Sequence, residues 1–252
     1  MSGHSKWATI KRKKEVTDSK RANAFTKVTR EIIVAAKAGG GDPEHNFRLR
    51  LAVLKAKSIN MPNDNIQRAI KRGSGEGNEA NQYEEVFYEG YGPGGVALLV
   101  QGLTDNRNRT ASEMRYIFSR NNGNLGEAGC VSWIFSSKGL ITIEEENCGK
   151  SEEELFEMAL EAGAEDLKKV DEIFEIYTEP GNLESVRRYF ENRKLPLKSV
   201  ELTMVPQNTV VVAGDTAEQL LKLVDALEEN DDVQNVYGNF DIPDSELDAM
   251  TP

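Results

Sequence analysis

The sequence predicts an α+β protein, an N-terminal three-helix bundle followed by two α/β domains, the second inserted into the first. Three observations predict it. The 252 residues exceed what a single core commonly covers, so two or three modest domains are expected. Apolar residues recur at helical spacing before residue 73 and in strand-length runs after it. The charge is also divided along the chain. Residues 1–72 carry 17 Lys and Arg against 6 Asp and Glu, whereas the remainder carries 14 against 36.

The bundle comes first. From Lys20 to Ala38, Phe25, Val28, Ile32 and Ala36 fall on one stripe, and Gly39-Gly-Gly41 stops the helix. Asp42-Pro-Glu44 supplies a cap, a first-turn proline and an acid at the positive end of the dipole, which predicts a second helix through Phe47, Leu51 and Leu54. Pro62 ends it, and a short third helix runs from about Asp64 to Arg72 with Ile66 and Ile70 inward. Gly73-Ser-Gly-Glu-Gly77 reads as a linker, closing a first domain over 1–75.

The acidic remainder alternates strands and helices. Val96–Gln101 is predicted as a strand, and Thr110-Ala-Ser-Glu113 as a capping box opening a helix through Met114 and Phe118. Val131–Phe135 and Leu140–Ile143 are read as a hairpin across Ser136-Ser-Lys-Gly139. Ser151-Glu-Glu-Glu154 is a second capping box, for a helix ending at Gly163. Strands are expected at 173–178, 199–205, 209–212 and 233–240. Helices are expected at 183–193 and, from a third capping box at Thr216–Gln219, to about Leu227. Residues 131–205 thus hold a complete set for one ferredoxin-like domain. Residues 84–121 hold too little to bury a sheet, and the missing half lies at 207–240. The middle domain is therefore expected to be discontinuous, 80–130 plus 206–245, around an inserted domain at 131–205.

Several function classes are disfavoured. Two cysteines, Cys130 and Cys148, and two histidines, His4 and His45, leave little for a disulfide framework, a metal site or histidine catalysis. No run is long and apolar enough to span a bilayer, and no secretory h-region opens the chain. A cytoplasmic protein with no cofactor and no metal is expected, with no membrane partner and a monomer favoured.

The positive end argues for a polyanion. Lys6, Lys11, Arg12, Lys13 and Lys14 cluster around Trp7, and Lys20 and Arg21 carry the run into the first helix. Lysines seated on phosphates gain chiefly through counterion release. Trp7 could stack on a base or pack on the bundle. Lys27, Arg30, Arg48, Lys55, Arg68 and Lys71 extend the candidate surface, few acids neutralise them, and Arg48 and Lys55 share a helical face. Lysine is a point charge, so contacts to backbone and shape are expected rather than base readout, which suits structured RNA or weakly specific DNA and leans slightly to RNA. At Thr104-Asp-Asn-Arg-Asn-Arg-Thr110, Asp105, Arg107 and Arg109 sit at a strand-to-helix turn where α/β folds place ligand contacts; the alternative is an Asx-turn whose arginines pair with nearby acids.

Several motifs together resemble the YebC family, which also includes the mitochondrial translational activator of cytochrome c oxidase. They are Gly3-His-Ser-Lys-Trp7, Asp42-Pro-Glu-His-Asn46, Asn60-Met-Pro62, Tyr88-Glu-Gly-Tyr-Gly-Pro-Gly-Gly-Val-Ala97 and Thr104–Thr110. The departures are Thr9, where Asn is expected, and Cys130, where Ser is common. The resemblance spans essentially the whole chain. It implies three domains, two of them α/β around a cleft, and no known enzymatic activity. Members are described as DNA-binding transcriptional regulators and some relatives as ribosome-associated translation factors, so the partner it implies is DNA or ribosomal RNA, with the ribosome as a further candidate. An enzyme using the cleft and a scaffold recruiting a basic partner are the other readings.

Overall fold

The structure, a computed structural model, describes residues 18–75, 83–243 and 245–246. Three helices come first: α1 (Asp18–Gly39), α2 (Phe47–Ser58) and α3 (Asn63–Gly73). Val28, Ile32, Ile33 and Ala36 of α1 close a core with Leu49, Ala52, Ala56, Met61, Ile66, Ala69 and Ile70. The small residues bring the helices close. A Cβ on Gly73 would lie 2.5 Å from the Ile33 carbonyl oxygen. The link between α1 and α2 is held by Asn46 rather than Asp42. Its buried side chain accepts from Leu49 N at 3.0 Å, capping α2, and donates to the Ala35 and Gly40 carbonyls at 2.8 Å each. Asp42 instead closes the preceding turn, accepting from Glu44 N at 2.9 Å. The expected cap is thus four residues early, because the turn needs Asp42 for itself.

The first sheet contains β1 (Glu84–Gly92), β2 (Val96–Thr104), β3 (Asn124–Leu125) and β9 (Val233–Gly238) in the antiparallel order β3-β1-β2-β9. β1 and β2 are a hairpin paired from Glu84 with Thr104 to Gly92 with Val96. Its connection uses Gly94 and Gly95 at φ +76 and +74, a conformation that favours glycine. α4 (Arg107–Arg120) and α8 (Gly214–Glu229) cover one face, burying Leu98, Val100, Met114, Phe118, Leu220, Val224, Leu227 and Val236. On the other face, Ala97, Leu99 and Tyr237 pack on Val131, Ile134 and Phe135. Two helices on an antiparallel sheet match the class expected, but the strand order is not the ferredoxin order, because the tight turn at Pro93 forces consecutive strands to be central neighbours.

The second sheet contains β4 (Phe135–Glu144), β5 (Asp166–Val170), β6 (Ile173–Thr178) and β7 (Ser199–Pro206) in the order β5-β6-β4-β7, all pairs antiparallel. After the short α5 (Glu145–Cys148), α6 (Glu152–Ala162) and α7 (Leu183–Asn192) cover it, giving the β-α-β-β-α-β ferredoxin-like succession. The Ser151 box is present at both of its bonds, and Gly163 ends α6 at φ +89. The hairpin expected within 131–143 is absent. Ser132–Ile134 is a single 3₁₀ turn, and Ser136–Gly139 continues β4 while pairing with β7. Two short strands, β8 (Val210–Val211) and β10 (Phe240–Asp241), pair in parallel beside the first sheet.

Packing at the edge of the first sheet is tight enough to test. A Cβ on Gly90 would sit 2.6 Å from the Asn124 carbonyl oxygen and 2.7 Å from a Phe118 ring carbon. Gly90→Ala is expected to cost about 1–3 kcal/mol through overpacking. Urea unfolding measures it, and an unchanged midpoint would show that β3 can move aside.

Candidate nucleic-acid interface

The turn after β2 begins with local hydrogen bonding. The Thr104 hydroxyl accepts from Asn106 N at 2.9 Å, and Asn106 Oδ1 accepts from Arg109 N at 3.1 Å. Asn106 is therefore the N-cap, and α4 starts three residues before the expected capping box at Thr110. Thr110 is released for another role. Its hydroxyl, fully buried, donates to Asp232 Oδ2 at 2.7 Å.

Asp232, in the turn between α8 and β9, collects this end of the molecule. Only 5% of its side chain is exposed. Arg109 reaches its Oδ2 at 2.7 Å and Asp105 at 2.8 Å, and Arg30 of α1 reaches its Oδ1 at 2.8 Å. Burial alone would push the carboxyl upward in pKa. The hydrogen bonds from Arg109 and Thr110 and the charges of Arg109 and Arg30 outweigh it and hold Asp232 below the ordinary carboxylate range. Arg109 is held further toward its charged form by Asp232 and Asp105. Of the three residues expected at this turn, Asp105 and Arg109 form a closed ion-pair network, as in the Asx-turn alternative. Arg107 points the other way, 70% exposed and 3.7 Å from its nearest acid, Glu84.

The bundle cations divide in the same manner. Lys27 donates to the Glu228 carbonyl, Asn23 to the Glu229 carbonyl at 3.3 Å and Arg30 to the Asp231 carbonyl, so α1 supplies positive charge to the carbonyl end of α8, where the helix dipole is negative. The Arg30 guanidinium also lies 5.3 Å from the centre of the Tyr83 ring. Arg48 pairs with Glu85 at 3.0 Å, Lys55 with Glu31 at 2.9 Å, and Arg50 with Glu184. Leu51 joins the core beneath the second sheet. Arg68 and Lys71 differ. Both are exposed on α3, neither has a carboxylate partner among the described residues, and with Asp64 and Gln67 they line an open hollow of ≈ 370 Å³. Arg68 is held only by Asn65 and by the Asp64 carbonyl at 3.3 Å. Lys6, Trp7, Lys11, Arg12, Lys13 and Lys14 lie outside the described residues, as do the side chains of Lys20 and Arg21.

Three carboxylates organise the surroundings without having been singled out in the sequence. Besides Asp232, Glu89 is buried and accepts from Gly129, Val131 and Ser132 N at 2.7 to 2.8 Å, fixing the loop that leads to β4. Glu184 accepts from Arg50, Arg187 and Arg188, and the Arg187 hydrogen bonds above all bring its carboxyl down to about 2. Asp232 stands in a run of acids, Glu89 in a strand and Glu184 in the first turn of a helix, and no residue spacing distinguishes an inward carboxylate from a solvated one. Among the described residues, no group of three or more His, Cys, Asp or Glu is placed to hold a metal, and no helix is long and apolar enough to cross a membrane.

Taken with the fold, this defines a helical module whose cations dock it onto two α/β units while α3 keeps its own exposed. Two family models match the chain: the TACO1/YebC protein N-terminal domain over residues 5–76, and the TACO1/YebC second and third domain over 83–240. The chain belongs to the TACO1/YebC family. A "probable transcriptional regulatory protein" of Natranaerobius thermophilus is 59% identical over 250 residues, covering 99% of this chain and 100% of its own. One of Pelotomaculum thermopropionicum, with the same description, is 55% identical over 244 residues, covering 97% and 100%. The crystal structure of a conserved hypothetical protein from Aquifex aeolicus superposes with a TM-score of 0.82 at 49% identity, covering 90% of this chain and 93% of that one.

The depressed carboxyls give a pH prediction. A group whose folded pKa lies below its unfolded value contributes stability above the unfolded value and loses it as pH falls through the folded one. Glu184, brought from 4.5 to about 2, should therefore contribute on the order of 3 kcal/mol at neutral pH, lost between those values, with Asp232 adding in the same direction. Urea unfolding at pH 7 and pH 3 measures the loss. Glu184→Gln should flatten the profile, and an unaltered profile would assign the acid sensitivity elsewhere.

Proposed function

We propose that this chain is a non-enzymatic, DNA-binding regulator of transcription acting in the cytoplasm. Its first unit, residues 1–75, carries the grip on phosphate. The unit formed by 80–130 with 206–245, and the unit at 131–205, carry the acidic excess, which disfavours contact with a polyanion over most of their surface. The observation that carries this reading is the pairing of the charge division with the placement of Arg68 and Lys71. Both are exposed and without a carboxylate partner among the described residues, and with Asp64 and Gln67 they line a hollow open to solvent. The names of the relatives support regulation of transcription.

The arm residues Lys6, Lys11, Arg12, Lys13 and Lys14, with Lys20 and Arg21 following, extend the grip, and Trp7 supplies an apolar contact among them. Lys27, Arg30, Arg48 and Lys55 serve it indirectly, by holding the bundle in place. Lysine-rich contacts neutralise phosphates without reading base edges, so discrimination among sequences rests on duplex shape and deformability. The Asp105–Arg109 pair, the strongest constellation for chemistry in the cleft, is consumed by Asp232, which argues against catalysis there.

Neutralising about five or six phosphates predicts that log K on duplex DNA falls with log salt at a slope of roughly −5. Replacing Arg68 and Lys71 together by Ala should make the slope shallower by about 2, with the thermal midpoint unchanged. Fluorescence anisotropy across a salt series measures both. A salt-independent affinity would overturn the reading, and so would equal binding to an uncharged backbone analogue.

A further inference from the structure

The outer face of α4 carries charge that the surrounding unit does not use. Arg115, Tyr116 and Arg120 are all exposed, Tyr116 at 66%, and neither arginine has an ion-pair partner among the described residues. This is unusual in context, because everything after residue 72 carries 36 acids against 14 basic residues. Every other described arginine of the α/β units except Arg193 is within reach of a carboxylate: Arg109 with Asp105 and Asp232, Arg187 and Arg188 with Glu184, and Arg107 at 3.7 Å from Glu84. Arg193 lies instead over the Tyr189 ring. The one acid of α4, Glu113, is turned away and accepts from Asn230 at 2.8 Å. The exposed face therefore presents no carboxylate: two guanidinium forks and a phenol hydroxyl stand among the neutral Asn108, Ser112 and Ser119, with Arg107 at the head of the same helix. At 1.5 Å per residue, Arg107 and Arg120 stand about 20 Å apart along the axis.

We infer that this face of α4 is a second contact for the phosphate backbone of duplex DNA, continuing the contact made by the helical module. The inference rests on the function proposed above and extends it to a different unit. Charge complementarity selects the occupant. Guanidinium forks match phosphate oxygens in pairs, and a tyrosine hydroxyl is a common phosphate donor. A duplex fits better than a single strand, because single strands are held on successive stacking platforms and this face has one aromatic residue. The module and α4 are themselves tied together at Asp232, which is bonded at once by Arg30 of the module and by Arg109 of α4. A backbone gripped by the module is thereby kept at a fixed angle to α4.

The test is a comparison of the full chain with the double variant Arg115→Ser, Arg120→Ser on one duplex, on its single strand and on an RNA duplex of the same sequence, each over a salt series. Both residues are exposed, so circular dichroism and the thermal midpoint should match the wild type. The expected result is a loss of duplex DNA affinity of about tenfold or more and a salt slope shallower by about 2. An unchanged slope and affinity in the variant, with normal salt-dependent binding by the wild type, would overturn the α4 contact and leave the proposed function standing. A wild type that fails to bind duplex DNA would overturn both. A loss confined to the single strand or to RNA would overturn duplex DNA as the occupant.

Discussion

The Asp232 carboxylate is buried, and a buried charge is tolerated only when its partners nearly replace the water it has lost. Here they come from two places distant in sequence, Arg30 in α1 and the Thr104–Thr110 segment with Thr104, Arg109 and Thr110, while the Asp232 main-chain carbonyl separately accepts from Leu103 N at 2.8 Å. Removing one partner of such a pair leaves the remaining charge uncompensated, typically a loss of about 3–5 kcal/mol. The position of the helical module, the start of α4 and the exit from α8 therefore depend on one another. The glycine at 102 belongs to the same constraint, since a Cβ there would lie 3.0 Å from the Asp232 carbonyl oxygen.

This constraint changes what the charge division means. Counting alone treats each lysine or arginine of the bundle as available to a polyanion. Geometry separates those that bind the molecule to itself from those that face outward. Lys27 and Arg30 occupy the carbonyl end of α8, Arg48 reaches β1, and Arg50 reaches Glu184 on α7. Part of the positive excess thus answers the acidic excess of the later units within one molecule. Among the described residues the part left over, Arg68 and Lys71 on α3 with Lys37 and Lys57 in the last turns of α1 and α2, is smaller than the count implies.

Much of the fold was legible because helical periodicity, glycine stops and the Ser151 capping box are local signals. The bundle helices and the ferredoxin-like succession follow from them. The misread elements are those in which a residue had two local uses and tertiary packing chose between them. Thr110 and Glu113 have the spacing of a capping box, yet Thr110 is drawn into the Asp232 network and Asn106 does the capping. Asp42 could cap α2, yet it closes its own turn and leaves the task to Asn46. Ser136–Gly139 has turn composition, yet it runs as strand because β7 pairs along its whole length. β5 carries Lys168 and Lys169 and has little apolar signal; it exists because β6 offers an edge. Asp232 itself follows Glu228, Glu229 and Asp231, and only the arginines that arrive from elsewhere distinguish it.

The turn at Thr104–Thr110 shows how the remaining ambiguity is resolved. Arg107 and Arg109 are the same residue type two positions apart, and the sequence gives no ground for treating them differently. In a helix, two positions correspond to a rotation of about 200°, so the side chains leave on opposite sides. Asn106, by fixing where α4 begins, fixes that phase. Arg109 then meets Asp232 and Asp105, while Arg107 faces solvent beside Glu84. The same phase carries forward along the helix and sets Arg115, Tyr116 and Arg120 outward while Met114 and Phe118 enter the core. A single cap therefore decides which cations of this unit are structural and which remain free to meet another molecule.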